Sequence, residues 1–324
     1  MVRRTNTNGA KRSAHPHRAV VPGTNTKGAR KKHTRKLKCV RKRGIIVNGD
    51  FMKKIQQIEI YERDRYVVKA NELIQKSRFN LTLQQQKIVL YLISQIERND
   101  KEFKLYSFSI QQFCKVCGIN YTSGKNYNDL KEAIKEIAQK VLWIKLPNGK
   151  ETTVRWIEKA YIDRNTGTIE IRLDEDMKPY LLQLRDNFTQ YELVWTLQFN
   201  SKYSIRLYEL IKSIHYHDLD PYERTYDIDE LKRLLDAETY KTYQHFKDRA
   251  LQVAVDEINS TSDKLVSFVP IKDGRAVKKI QLHIESKDQG ERIKLRKAIE
   301  QDLGSNQVSM WEMLDELYNG KRPD

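Results

Sequence analysis

The sequence predicts an α+β fold in which one unit, strand, helix, turn, helix and hairpin, occurs twice. Three observations predict it. Residues 226–284 pass from strand to helical to strand periodicity in that order. Residues 105–173 repeat the order. Short strings also recur at offsets of 116 to 118 residues: Leu90-Tyr91-Leu92-Ile93 with Leu207-Tyr208-Glu209-Leu210, Phe108 to Phe113 with Tyr226 to Leu231, and Tyr127-x-x-Leu130-Lys131-Glu132 with Tyr243-x-x-Phe246-Lys247-Asp248. Recurrence at nearly one spacing is the mark of a duplicated module.

Residues 1–54 form a basic arm. They hold 17 Lys or Arg and one acid, Asp50, so nearly all of the net charge of +17 lies there and the rest of the 324-residue chain is close to neutral. Without apolar periodicity the arm is expected to be disordered. It either adds nonspecific DNA affinity or is an upstream extension ahead of a start at Met52. No apolar run reaches membrane length and the N-terminus lacks the h-region of a signal peptide, so a soluble cytoplasmic protein is expected. Three cysteines, Cys39, Cys114 and Cys117, suit a reducing compartment.

The N-terminal module is expected over residues 55–188. Tyr66 to Ala70 reads as a strand, and Thr82 caps a helix with Leu83, Ile88, Leu90, Tyr91, Leu92 and Ile96 buried. Leu105 to Ser109 is a strand and Ile110 to Cys117 a short helix stopped by Gly118. The next helix, Asn126 to Lys140, turns Tyr127, Leu130, Ile134 and Ile137 inward. Its outer face carries Lys125, Asn128 and Lys135 among the acids Asp129, Glu132 and Glu136, which predicts weaker DNA contact. Strands follow at Leu142 to Leu146, Thr152 to Ile162 and Thr168 to Leu173. Asp174 to Leu184 reads as a helix and Arg185 to Leu197 as a connection.

The C-terminal module is expected over residues 189–285. Asp227 or Asp229 can cap its first helix, whose stripe is Leu231, Leu234 and Leu235. The second helix begins near Thr242. At 3.6 residues per turn, Tyr243, Phe246, Ala250, Val253, Ala254, Glu257 and Ile258 gather on a side that must bury, and Lys241, His245, Asp248, Arg249 and Gln252 lie opposite. Two β-branched runs, Lys264 to Pro270 and Ala276 to Ile284, then form a hairpin tipped by Lys272, Arg275, Lys278 and Lys279. This order is that of a winged helix, whose long helix enters the DNA major groove while the hairpin, or wing, meets phosphates. The charged tail, 286–324, ends in an amphipathic stretch.

Several strings together resemble a known family: NLTLQQQKIVLYLISQI (80–96), YSIRLYELIKS (203–213), DIDELKRLL (227–235), FKDRALQVAVDEIN (246–259) and GRAVKKIQLHI (274–284). The chain resembles, over about residues 58–285, the theta-type replication initiators of plasmids and phages, the Rep_3 or RepB-like family. The resemblance implies two tandem winged-helix domains that bind repeated origin sites, iterons, in double-stranded DNA. It implies that the C-terminal domain makes the specific contacts and that the N-terminal domain adds DNA contact and dimerisation. Monomers would activate the origin and dimers would repress the initiator's own gene. Host replication proteins, an initiator, a helicase or the sliding clamp, are the further partners expected on this reading. The reading residues would be those around Lys241, His245, Arg249 and Gln252, with Arg275, Lys278 and Lys279 on the wing. The basic arm departs from the family pattern.

Rival chemistry is weaker. His215-Tyr216-His217 resembles the metal-binding His pair of rolling-circle nickases, with Tyr240 or Tyr243 as nucleophile, but it closes an amphipathic helix instead of lying on a strand. Cys114-Lys-Val-Cys117 has no second pair and lies on a helical stripe, so its thiols are expected as small core groups rather than metal ligands. Gly118 to Asn126 has the wrong spacing for a phosphate loop. No cofactor or metal is expected, and the chain is read as a non-enzyme. Gln307-Val308-Ser309-Met310-Trp311 resembles the pentapeptide that docks on the sliding clamp, with Gln307, Met310 and Trp311 as anchors; the alternative is a helix that packs on its own body. A tandem winged-helix repressor without replication role is the other functional reading.

Overall fold

The computed structural model describes residues 65–116, 124–146, 148–163, 165–214, 220–299 and 301. The basic arm, Cys117 with the following loop, the segment His215 to Leu219 and the clamp-like motif lie outside the described residues.

The first half runs β1 (Tyr66–Ala70), α1 (Asn71–Lys76), β2 (Ser77–Arg78), α2 (Leu83–Ser94), β3 (Tyr106–Ser109), α3 (Ile110–Val116), α4 (Gly124–Gln139), β4 (Val141–Lys145), β5 (Glu151–Arg155), β6 (Ile157–Asp163) and β7 (Thr168–Leu173). Thr82 starts α2 through a reciprocal cap: its hydroxyl accepts from Gln85 N–H at 3.3 Å, and Gln85 Oε1 accepts from Thr82 N–H at 3.1 Å. The sequence predicts a broad buried face on α2. In the structure every residue from Gln85 to Ser94 is buried, because the helix is walled by β1, α4 and two later helices. The strand expected over 152–162 breaks at Trp156, which is 1% exposed and packs edge-on against Phe79 at 5.1 Å. The break sends β5 to β4 and β6 to β7, so the two pieces serve different sheets.

The stretch expected to be one helix and a loop is more structured than its pattern suggests. Asp174 to Leu184 holds only a 3-10 turn, Glu175–Met177, and a single helical turn, α5 (Lys178–Leu181). Chain reversal there is fixed by Gln183 and Asn187, both at positive φ (52° and 53°). The expected connection contains β8 (Phe188–Glu192) and α6 (Leu193–Leu197). Strand β8 pairs antiparallel with β1, Tyr66 opposite Glu192 and Ala70 opposite Phe188, so the expected division between 188 and 189 falls inside a paired strand.

The second half runs α7 (Lys202–Ile214), β9 (Tyr222–Asp227), α8 (Ile228–Leu234), α9 (residues 243–261), β10 (Lys264–Asp273), β11 (Ala276–Ser286) and a final helix, α10, over residues 289–299. Its sheet has the order β10-β11-β9. The repeat is therefore one of element order and not of pairing: β9 joins its wing, whereas β3 pairs with β7 and the β4–β5 hairpin is extended by β2. Asp227 stands at the N-cap of α8 without a side-chain hydrogen bond.

Helix α7 binds both halves through a charged stripe. Glu209 accepts from Lys69 Nζ of β1 and from the hydroxyl of Tyr191 of β8, each at 2.5 Å. Arg206, 4% exposed, donates to the Leu234 carbonyl at 3.0 Å and lies 4.2 Å from the Phe79 ring. Lys212 and Tyr208 reach Asp263 at 3.0 and 2.7 Å. Burial alone would raise the Asp263 carboxyl; the charge of Lys212 and these hydrogen bonds outweigh it and hold the group below its usual value. Among the described residues no helix is long and apolar enough to cross a membrane.

Candidate nucleic-acid interface

Helix α9 is built to show one polar face. Thr242 caps it, its hydroxyl accepting from His245 N–H at 3.2 Å. Regular periodicity then fails, because Lys247–Leu251 forms a π turn. Such a turn holds one residue more than an α turn, so everything downstream slips by roughly one residue, about 100°. Rows along the helix now repeat every four residues. Phe246, Ala250, Ala254 and Ile258 form the inward row, each 0% exposed. Leu251 and Val255 join them in the core, and Val253, expected inside, is 37% exposed. Glu257, also expected on the buried side, is half-buried and accepts from the backbone N–H groups of Asn200 and Ser201.

The residues expected to face DNA lie outside. Lys241, Thr242, His245, Asp248 and Arg249 are exposed and Gln252 is half-buried. The slip sorts them into two neighbouring rows: His245, Arg249 and Val253 in one, Gln244, Asp248, Gln252 and Asp256 in the other. Arg249 has no ion-pair partner among the described residues.

The wing lies beside α9. Strands β10 and β11 pair through ten positions, and Gly274 at φ +61° makes the two-residue turn possible. Register shifts where Ile271 faces Lys279 and Lys272 faces Val277, which leaves Lys278 as the extra residue of a bulge. A bulge sharpens the local twist and re-aims side chains. Lys272, Arg275, Lys278 and Lys279 are all exposed around this tip, with Asp273 the one acid among them. Between α9 and β10 lies a cleft of about 430 Å³ lined by Lys247, Gln252, Asp256, Asn259, Ser267 and Pro270.

The corresponding helix of the first half, α4, is less open to phosphate. Asn128 and Lys135 are exposed, but Lys135 pairs with Glu132 at 3.2 Å and Glu136 is engaged by Gln85 and Lys140. The side chain of Lys125 lies outside the described residues. Two further lysines, Lys145 and Lys150, are exposed beside the β4–β5 turn, where Gly149 has φ +81°. Gln244 and Asp256 share the row of Asp248 and Gln252, a place that depends on the π turn.

No group of three potential metal ligands gathers among the described residues. The His215-Tyr216-His217 string lies outside them. Cys114 is buried, and burial pushes its thiol up to about 11, which makes it an inert core group.

Comparison with known proteins agrees with this architecture. The model for "Initiator Replication protein, WH1" matches residues 66–212, and that for "Initiator Rep protein, WH2" matches residues 227–284. The first match runs through α7. A replication initiation protein of Escherichia coli is 26% identical over 226 residues, spanning 68% of this chain and 69% of the relative. Among solved structures, the Pi initiator protein in complex with iteron DNA superposes with a TM-score of 0.56 at 21% identity, covering 70% of this chain and 99% of the other. The two family matches together cover more than half of the sequence, and the chain belongs to the replication initiator proteins built from paired winged-helix domains.

Proposed function

We propose that this chain initiates replication by binding repeated duplex sites at an origin, with α9 in the major groove and the β10–β11 wing on the adjoining phosphates. The observation that carries the reading is that α9 shows exposed polar side chains, Thr242, His245 and Arg249 among them, and shares a cleft with β10 of a hairpin whose bulged tip exposes Lys272, Arg275, Lys278 and Lys279. The Pi initiator, a protein of the same fold, is described in complex with iteron DNA, which supports the same mode here. The N-terminal domain contributes weaker contacts through Asn128, Lys135 and Lys125. The protein acts without catalysis: origin opening comes from binding, bending and recruitment of host replication proteins. We extend the reading to cytoplasmic monomers in equilibrium with a homodimer that represses its own gene, as the family resemblance implies, and to Gln307, Met310 and Trp311, which resemble a clamp-docking pentapeptide, as a sliding-clamp anchor.

Footprinting of the full chain on DNA flanking its gene tests this. Evenly spaced protected repeats, one helical turn or a multiple apart, are expected. A single palindrome would instead make it a repressor. Cutting of supercoiled DNA in Mg²⁺ or Mn²⁺, abolished by His215→Ala, would overturn the non-catalytic reading.

A further inference from the structure

The outward row of α9 carries two side-chain pairs of the same build. Gln244 Nε2 donates to Asp248 Oδ2 at 2.7 Å, and Gln252 Nε2 donates to Asp256 Oδ1 at 2.8 Å. Each bond uses one amide N–H and one carboxylate oxygen, which leaves the Gln carbonyl and the second Asp oxygen able to accept. The π turn between the pairs keeps them in one row. With strict α-helical periodicity they would spiral apart.

Carboxylates are a poor choice for a surface that only grips phosphates, since each one repels the chain it faces. Here two of them are exposed, in the row beside the one that carries Arg249. In the major groove the exocyclic donors are the N4 amino group of cytosine and the N6 amino group of adenine. We propose that Gln244–Asp248 and Gln252–Asp256 are two acceptor clamps, each reading the amino group of a cytosine or adenine and so fixing sequence preference at two positions. Asp248 and Asp256 are eight residues apart, about 12 Å along the helix, which matches three to four base-pair steps. The second clamp opens onto the cleft between α9 and β10.

This rests on α9 being the base-facing helix, and the experiment separates the two ideas. Full-length wild type, Asp248→Asn, Asp256→Asn and Arg249→Ala are each used to select from duplexes randomised over the bound segment, and affinity for one random duplex is measured in parallel. Wild type selects cytosine or adenine at two positions three or four base pairs apart. Asp248→Asn loses the preference at one position and Asp256→Asn at the other, by about tenfold. Both bind the random duplex more tightly, because a negative charge near the phosphates is gone. Gln244→Ala and Gln252→Ala produce the same positional losses without that gain. If the Asp variants keep the wild-type profile while Arg249→Ala changes it, the row is a solvated face whose Gln–Asp pairs support the helix, and the proposal fails. If Arg249→Ala also leaves the profile unchanged, or wild type selects no sequence, the base-facing role of α9 fails and takes the proposal with it.

Discussion

Replacing Lys69 with methionine should cost the folded chain about 3 to 5 kcal/mol, the usual loss when one partner of a buried ion pair is removed. Lys69 is 3% exposed and Glu209 1%, with Nζ and Oε1 at 2.5 Å. Burial, opposed by the charge of Glu209, lowers the Lys69 pKa, so the ammonium is held in place by that one carboxylate. Methionine keeps the length of the stem and removes the charge. Glu209 then faces the Tyr191 hydroxyl in a site with little water. Removing all three polar groups in Lys69→Met/Glu209→Met/Tyr191→Phe should recover part of the loss, because Lys69, Glu209 and Tyr191 no longer leave one another unpaired, while the buried Arg206 loses the attraction of Glu209 and keeps the recovery incomplete. Urea unfolding followed by circular dichroism and by tryptophan fluorescence measures each variant and shows whether both probes report one transition. A loss below about 1 kcal/mol for Lys69→Met, or a triple variant no more stable than the single, would refute a dry, paired junction between β1 and α7.

Four further outcomes follow from the same structure. Lys264 is pushed down to about 8 from 10.5, first by burial and then by the charge of Lys212. The folded form thus holds that proton less tightly than the unfolded chain, so stability is lowest below pH 8 and rises with pH toward 10.5. Lys264→Met should flatten that rise between pH 7 and 9.5, and urea midpoints that keep the wild-type slope would contradict it. Arg249→Ala should lower specific affinity by about 1 to 3 kcal/mol, whereas Lys278→Ala should weaken all sequences alike and reduce the salt slope by about one; titrations at several salt concentrations distinguish them. Cys114, buried with its thiol near 11, should resist thiol reagents in a Cys39→Ser/Cys117→Ser background until the chain is unfolded. Gly274→Val should destabilise the wing by about 1 kcal/mol or more, because φ +61° excludes a β-branched side chain, and should reduce DNA affinity at low salt.

What the sequence made legible was local. Thr82 and Thr242 announce their helices because their hydroxyls serve the next free N–H groups, and the wing follows from alternation around a glycine turn. What it hid was long-range or aperiodic. The partners Lys69 and Glu209 are 140 residues apart, and no local pattern marks Lys69 for burial. Strand β8 alternates, with Thr189 and Tyr191 inward, but five residues between a turn at positive φ (Asn187) and a short helix are too few to stand out. Val253 was misplaced because a constant 3.6-residue period cannot foresee a π turn. That same turn decides which side chains of α9 form the outward row, so the exposed polar side of the helix was legible while the grouping of its residues was not.

The central claim is that Arg249 meets base edges in the major groove. Guanine N7 methylation interference on the footprinted site tests it most directly, since N7 and O6 are the atoms an arginine grips there. Methylation of one or two guanines per site should block wild-type binding and make no difference to Arg249→Ala. Binding that is indifferent to N7 methylation, or blocked only by methylation of adenine N3 in the minor groove, would contradict the account.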